Sequence, residues 1–204
     1  MEAKTSKSEL TRVAIVGAAL DLAAEQGLEA ITLQAVADRI GLSKSGVFSR
    51  VGSREALQAA VIEEYDRRFL ADVFVPAMQA PKGLPRLNAM IRRWIERARI
   101  VEAHTGCIYV AGAFELDDRE GPLRELVLKG VLGWRAALRR TVIQAQEQAH
   151  LQPDFEPEQL VSEIYSLLVG MLHDARFLRD MHAADRAHAG YERLIRSYSN
   201  PKTV

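Results

Sequence analysis

The chain has 204 residues, with 27 Lys and Arg against 27 Asp and Glu, so its formal charge is zero. That length carries one large domain or two small ones, and the charge balance excludes a grossly basic, histone-like binder and an acidic disordered tail. With 48% apolar and 26% charged residues the composition is globular, and the single cysteine, Cys107, excludes an intrachain disulfide and suits a reducing compartment. The opening Met1-Glu2-Ala3-Lys4-Thr5-Ser6 lacks the apolar stretch of a signal peptide, and the longest run without formal charge, from Ala103 to Phe114, is too short to span a bilayer. The expectation is a soluble, cytoplasmic chain with no membrane partner.

Only helical periods stand out. Aromatics are 6% of the chain, no segment alternates apolar and polar residues for long, and no repeat appears, so the chain reads as all-α. Ser6-Lys7-Ser8-Glu9 has capping-box spacing and opens a first helix, with Val13, Val16, Leu20 and Ala23 or Ala24 on one face and Gly27 as its stop. Thr32 is the expected N-cap of a second helix that turns Leu33, Val36, Ala37 and Ile40 inward and breaks at Gly41. Ser43 then caps a short third helix with Val47, Phe48 and Val51 inward, ended by Gly52-Ser53. Ser53 caps a long fourth helix that reaches about Val75, where Pro76 stops it. Two prolines and a glycine mark Gln79 to Pro85 as a linker. Longer helices follow at about 85–102, 106–116, 122–149, 157–180 and 184–199. Pro122 and Pro157 suit first helical positions, and Phe155 and Leu160 have staple spacing around a cap at Glu156.

Residues 32–51 therefore read helix, tight turn, helix. Ala37 lets the second helix approach closely, Gly41 tolerates positive φ at the turn, and Val36, Ile40, Leu42 and Val47 can join the pair. With those buried, Lys44, Ser45, Ser49 and Arg50 project from a helix whose length suits the major groove. Residues 1–60 balance seven basic against seven acidic groups, yet Gly41 to Arg54 holds Lys44, Arg50 and Arg54 and no acid. A helical hairpin with a solvated polar face would share the spacing; the concentrated positive charge favours DNA.

Residues 10–62 resemble the DNA-binding region of the tetracycline-repressor (TetR) family of bacterial regulators. The matching text runs from Ala18 to Gly27 (AALDLAAEQG), from Thr32 to Lys44 (TLQAVADRIGLSK) and from Ser53 to Leu57 (SREAL). The apolar, helix-only remainder is similar to the family's regulatory domain in architecture. The resemblance implies an N-terminal three-helix helix-turn-helix DNA-binding domain at 1–53 and a C-terminal helical effector-binding and dimerisation domain at 54–204. It implies that Thr32 contacts phosphate from a helix N-terminus, where hydroxyl and amide donors meet an anion, and that Ser43, the expected cap of the third helix, belongs to the DNA-binding residues. Lys44, Ser45, Gly46 and Ser49 would face base edges, and Arg54, where lysine is usual, would pin the DNA backbone. The chain departs from the family at Phe48-Ser49-Arg50-Val51: Phe48 keeps a ring without the phosphate-reaching hydroxyl, and Arg50 restores a donor nearby. Gly46 disfavours the helix by about 1 kcal/mol relative to Ala and lets backbone approach DNA.

A homodimer is expected, because two short reading helices on a two-fold axis double the contacts over a palindrome. Ser162, Ser166 and Gly170 form a small-residue row on the apolar helix from Leu160 to Leu178, and Tyr191 and Ile195 lie on a second amphipathic helix; both helices would meet a partner. Packing within the subunit is the other use for those faces. An unknown small-molecule effector would be lined by Met90, Trp94, Cys107, Phe114, Trp134, Tyr165, Met171 and His173, although each also fits an ordinary core position, the commoner place for such side chains. One Cys and five scattered His offer no dense ligand spacing, so neither metal nor cofactor is expected. Nucleotide-loop, nucleophile-elbow and zinc-protease motifs are absent, which argues against an enzyme. The functional expectation is a ligand-responsive repressor; the alternative is a helical small-molecule-binding module with weakened DNA binding.

Overall fold

The structure, a computed structural model, describes residues 7–201, so Ser6 of the expected capping box lies outside the described residues. Among the described residues there are nine helices of eight residues or more and no strand, as the all-α reading requires. They are α1 (Lys7–Gln26), α2 (Leu33–Ile40), α3 (Lys44–Val51), α4 (Arg54–Phe69), α5 (Leu84–Arg97), α6 (Ile108–Glu115), α7 (Pro122–Glu147), α8 (Pro157–Arg176) and α9 (Ala183–Tyr198). The chain forms two compact units, one holding the residues up to Arg68 together with Cys107–Gly130, the other Phe69–Gly106 together with Val131 onward. The chain passes between them within α4, after Gly106 and within α7.

In the first unit α1 packs on both α2 and α3. Ile15, Ala19, Val36, Ala37 and Val47 are fully buried there, each giving up apolar surface to hold the three helices together. The link from α1 to α2 is a short turn, Leu28–Ala30, entered through Gly27 at φ 94. Its backbone polar groups find partners on both sides. The Glu115 carboxylate at the end of α6 accepts the N–H groups of Leu28 and Glu29, both at 2.8 Å. A Cβ on Gly27 would stand 2.9 Å from that carboxylate, a second reason for glycine there. On the carbonyl side, Arg54 donates to Ile31 at 2.8 Å and to Glu29 at 2.6 Å, and Gln58 donates to Leu28 at 3.1 Å. A negative group at exposed amides and a positive one at exposed carbonyls is the favourable arrangement for a helical turn.

The α6 segment has further ties within this unit. The Tyr65 hydroxyl lies 3.1 Å from the Cys107 sulfur, and the Tyr109 hydroxyl donates to Asp66. Burial, reinforced by Asp66, pushes the Tyr109 phenol well above its ordinary range, so it stays a donor.

The second unit centres on α5, α8 and α9, with α9 packed on the other two. Leu87, Met90, Ile91, Ile95, Leu138, Leu160, Ile164 and Leu168 are fully buried. The helical run begun by α4 does not stop before Pro76. It widens at Leu70–Phe74 and continues through Val75–Ala77. A regular helix would drive the Pro76 ring onto the Asp72 carbonyl, and an i→i+5 turn is one way to relieve that clash. A second wide turn, Ala98–Glu102, extends α5 toward Thr105. Buried Arg97 pairs with Asp72 and Glu102 and lies 5.9 Å over the Phe69 ring.

Glu115→Ala should leave two part-buried amides without their acceptor, and is expected to lower the unfolding free energy by about 1–3 kcal/mol. Glu115→Gln, which keeps an oxygen, should lose less. Urea unfolding of the three proteins checks this; equal midpoints would mean that water serves those amides as well as Glu115 does.

Candidate nucleic-acid interface

The turn between α2 and α3 is built from two caps and one glycine. Thr32 Oγ1 accepts the Ala35 N–H at 3.0 Å and starts α2. Gly41 closes α2 in the left-handed region, φ 67 and ψ 31, where a side chain would be strained. Ser43 Oγ accepts the Gly46 N–H at 3.0 Å and starts α3. Val47 and Val51 bury the inner face of α3. Lys44, Ser45, Ser49 and Arg50 are exposed on the other side, and Gly46 is half-buried.

Two apolar residues stand differently from the sequence expectation. Phe48 is 57% exposed and Leu42 39% exposed, whereas inward positions were expected for both. Consecutive positions on a helix lie about 100° apart, so Val47 and Phe48 cannot share one narrow buried stripe. Phe48 therefore joins the outward face, with its ring exposed to solvent.

The outward donors are not equivalent. Among the described residues Lys44 makes no ion pair, so its three N–H donors face solvent. Arg50 donates to Ser8 at 3.0 Å, and Arg12 on α1 donates to the Arg50 carbonyl at 3.2 Å. Arg12 thus braces the end of α3, a role that nothing local in the sequence announces. Ser49 donates to the Gly46 carbonyl at 2.9 Å, and Ser45 shares a 3.1 Å contact with Ser43. The Thr32 hydroxyl, accepting from Ala35, still has its own hydrogen to offer an anion. Arg54 directs its guanidinium at Ile31 and Glu29, so its visible work is inside the fold.

The expected pocket residues divide between the two units. Trp94, Trp134 and Tyr165 do meet, with Phe69 as a fourth ring; centroids lie 4.8–5.7 Å apart along the chain Phe69, Trp134, Trp94, Tyr165. Met90 is buried, with the Thr141 hydroxyl 3.5 Å from its sulfur. The Trp134 Nε1 atom is buried and has no acceptor among the described residues. Met171 lines a separate cleft of the second unit. Cys107 and Phe114 belong to the first unit, and Phe114 is 69% exposed because α6 turns Ile108 and Gly112 inward instead. His173 is exposed beside Asp174 and Phe177, away from the buried face of α8.

The expected dimer residues also divide. Ser166 and Gly170 are exposed on α8 and Ser162 is half-buried. Tyr191 and Ile195 are buried within their own unit, and the Tyr191 hydroxyl donates to Asn88 at 2.8 Å. Among the described residues no three His, Cys, Asp or Glu could hold a metal, and no helix is long and apolar enough to cross a membrane.

A capped two-helix turn with a polar, basic outer face defines the class: a helix-turn-helix DNA-binding regulator. Residues 15–61 match the description "Bacterial regulatory proteins, tetR family", and residues 83–191 match "Tetracyclin repressor-like, C-terminal domain". The chain belongs to the TetR family of transcriptional regulators. No match was found among curated proteins. Solved structures share the fold. A TetR-family regulator from Cytophaga hutchinsonii superposes with a TM-score of 0.79 at 19% identity, covering 97% of this chain and 98% of its own. One from Chloroflexus aurantiacus gives 0.78 at 23% identity, covering 93% and 94%. AibR, solved in complex with isovaleryl coenzyme A and operator DNA, gives 0.65 at 20% identity, covering 81% and 85%.

Lys44 and Arg54 should separate on mutation. Lys44→Ala is expected to relax preference at particular bases, at about 1–3 kcal/mol, with little effect on stability. Arg54→Ala should lower the unfolding midpoint, because it strips donors from the turn before α2. Binding to a randomised DNA pool, read beside thermal unfolding, checks both. Unchanged base preference in the Lys44 variant would remove that residue from the reading face.

Proposed function

We propose that the chain works as a homodimeric, ligand-responsive repressor that reads a palindromic operator in double-stranded DNA. The observation that carries this reading is the outward face of α3, where Lys44, Ser45, Phe48, Ser49 and Arg50 stand over a buried valine stripe. Thr32 and Ser43 would add phosphate contacts from the two helix N-termini, and Gly46 would let the α3 backbone come close. Eight residues span about 12 Å, enough for a few base pairs, so specificity at genomic scale calls for a second copy. In functional terms residues 1–53 are the reader, 54–204 carry sensing and dimerisation, and the α6 segment is lent to the reader's unit. The outer face of α8, with Ser162, Ser166 and Gly170, is the surface offered to the partner.

Control would come from a small molecule held in the second unit near Met90, Trp94, Trp134 and Tyr165. The Trp134 Nε1 supports this, since a buried donor with no acceptor is costly and a ligand oxygen would relieve it. AibR, a protein of the same fold, has been captured with a small molecule and operator DNA, which agrees with dual occupancy. To release DNA the ligand must bind better to the DNA-incompetent state; a coupling of about 1–3 kcal/mol gives a 5–150-fold effect.

Sedimentation of the protein alone and on DNA selected from a random pool tests the assembly. A dimer at micromolar concentration, with half-sites centred about one helical turn apart, is the expected result. A monomer that stays monomeric on its selected DNA would overturn the proposal.

A further inference from the structure

The end of α8 makes a turn that glycine ordinarily makes. The Phe177 N–H returns to the His173 carbonyl at 2.8 Å and the Asp180 N–H to the Asp174 carbonyl at 3.0 Å, which leaves Arg179 at φ 55. A side chain in that left-handed position crowds the following carbonyl, which is why glycine prevails at such helix stops. Arginine is therefore held there against its backbone preference. Strain of this kind points toward a use for the side chain.

Beside the turn lies a cleft of about 420 Å³, within the size range of small-molecule sites. Its floor is apolar: Ala98, Ala183, Ala184 and Met171 line it and are buried. Its rim is basic, with Arg99, Arg176 and Arg179. Arg99 is already paired with Glu96 at 2.6 Å. The one carboxylate on the rim, Asp180, is spent on Arg186 and on the His182 N–H. Among the described residues Arg176 and Arg179 make no ion pair, so two guanidinium groups border an apolar hollow without a counter-charge. Ala98 and Arg99 both belong to the wide turn Ala98–Glu102, a distortion frequent at binding sites.

We propose that this cleft binds a small organic carboxylate with an apolar body. The carboxylate lies between Arg176 and Arg179, whose planar forks match its two oxygens, and the hydrocarbon covers the alanine and Met171 floor. A bare inorganic anion would leave that floor wet, and a neutral hydrocarbon would leave the arginines unserved. The site deepens the reading of the second unit as a sensor. It rests on that reading only for its effect on DNA, because binding is measured without DNA.

Calorimetric titration of the full chain with octanoate, 1-octanol and acetate tests the proposal. Octanoate should bind saturably, one per chain, at least tenfold tighter than either of the others. The R176A/R179A double variant should lose at least tenfold in octanoate affinity, and Ala184→Trp, which fills the floor, should weaken it with the arginines intact. Arg179→Gly guards against a folding artefact: relieving the left-handed strain should raise the unfolding midpoint while octanoate affinity falls. Equal affinity for octanoate and octanol, undiminished binding by R179G, or no saturable binding at millimolar octanoate would each overturn the site. Octanoate binding that leaves operator affinity unchanged would support the site and remove its regulatory role.

Discussion

Helix α3 is eight residues long, and a helix of that length does not persist in water on its own, because isolated helices below about 12–15 residues remain marginal. Its position has to be supplied from outside. Burial of Val47 and Val51 supplies part, with Val36 and Ala37 completing the small core beneath α1. The Ser43 cap and the Gly41 turn set the angle at which α3 leaves α2. One step further out, the Leu28–Ala30 turn that launches α2 is gripped at its amides by Glu115 and at its carbonyls by Arg54 and Gln58. The reading helix is thus the last member of a chain of supports that begins on α6.

The same shortness explains the division of labour in the rest of the molecule. A face with so few donors reads few bases, and under the proposed function a second copy would multiply the discrimination. In the second unit α9 packs on α5 and α8, and Ser166 and Gly170 on the outer face of α8 are exposed. The proposed sensing role draws on two features of that unit: a ring cluster whose indole N–H finds no acceptor among the described residues, and an arginine-edged hollow over alanine. Because residues 107–130 lie in the first unit, the chain crosses between the two units three times.

Features encoded by local chemistry were legible in the sequence. Thr32 and Ser43 announce caps by residue type, Gly41 announces a left-handed turn, and Pro122 and Pro157 stand at the first helical positions. What could not be read depends on contacts between residues far apart. Glu115 serves amides 86 and 87 positions away, and its only local signal is that it follows a long uncharged run. Arg54 was legible as a cation near the expected DNA, but its guanidinium turns inward to carbonyls that no spacing rule reveals. Aromatic type foretold burial for Trp94 but not which unit a ring joins, so Phe114 could not be separated from Trp134 and Tyr165. Tyr191 shows the same limit: an amphipathic helix declares an apolar face without saying whether its own chain or a partner covers it.

Two copies of α3 reading DNA together, each seated in a major groove, would leave a distinctive footprint. Hydroxyl-radical cleavage of the selected DNA should show two protected windows on the same face of the duplex, mirrored about a dyad and about 10 base pairs apart. One unpaired window, or protection without a dyad, would contradict paired reading.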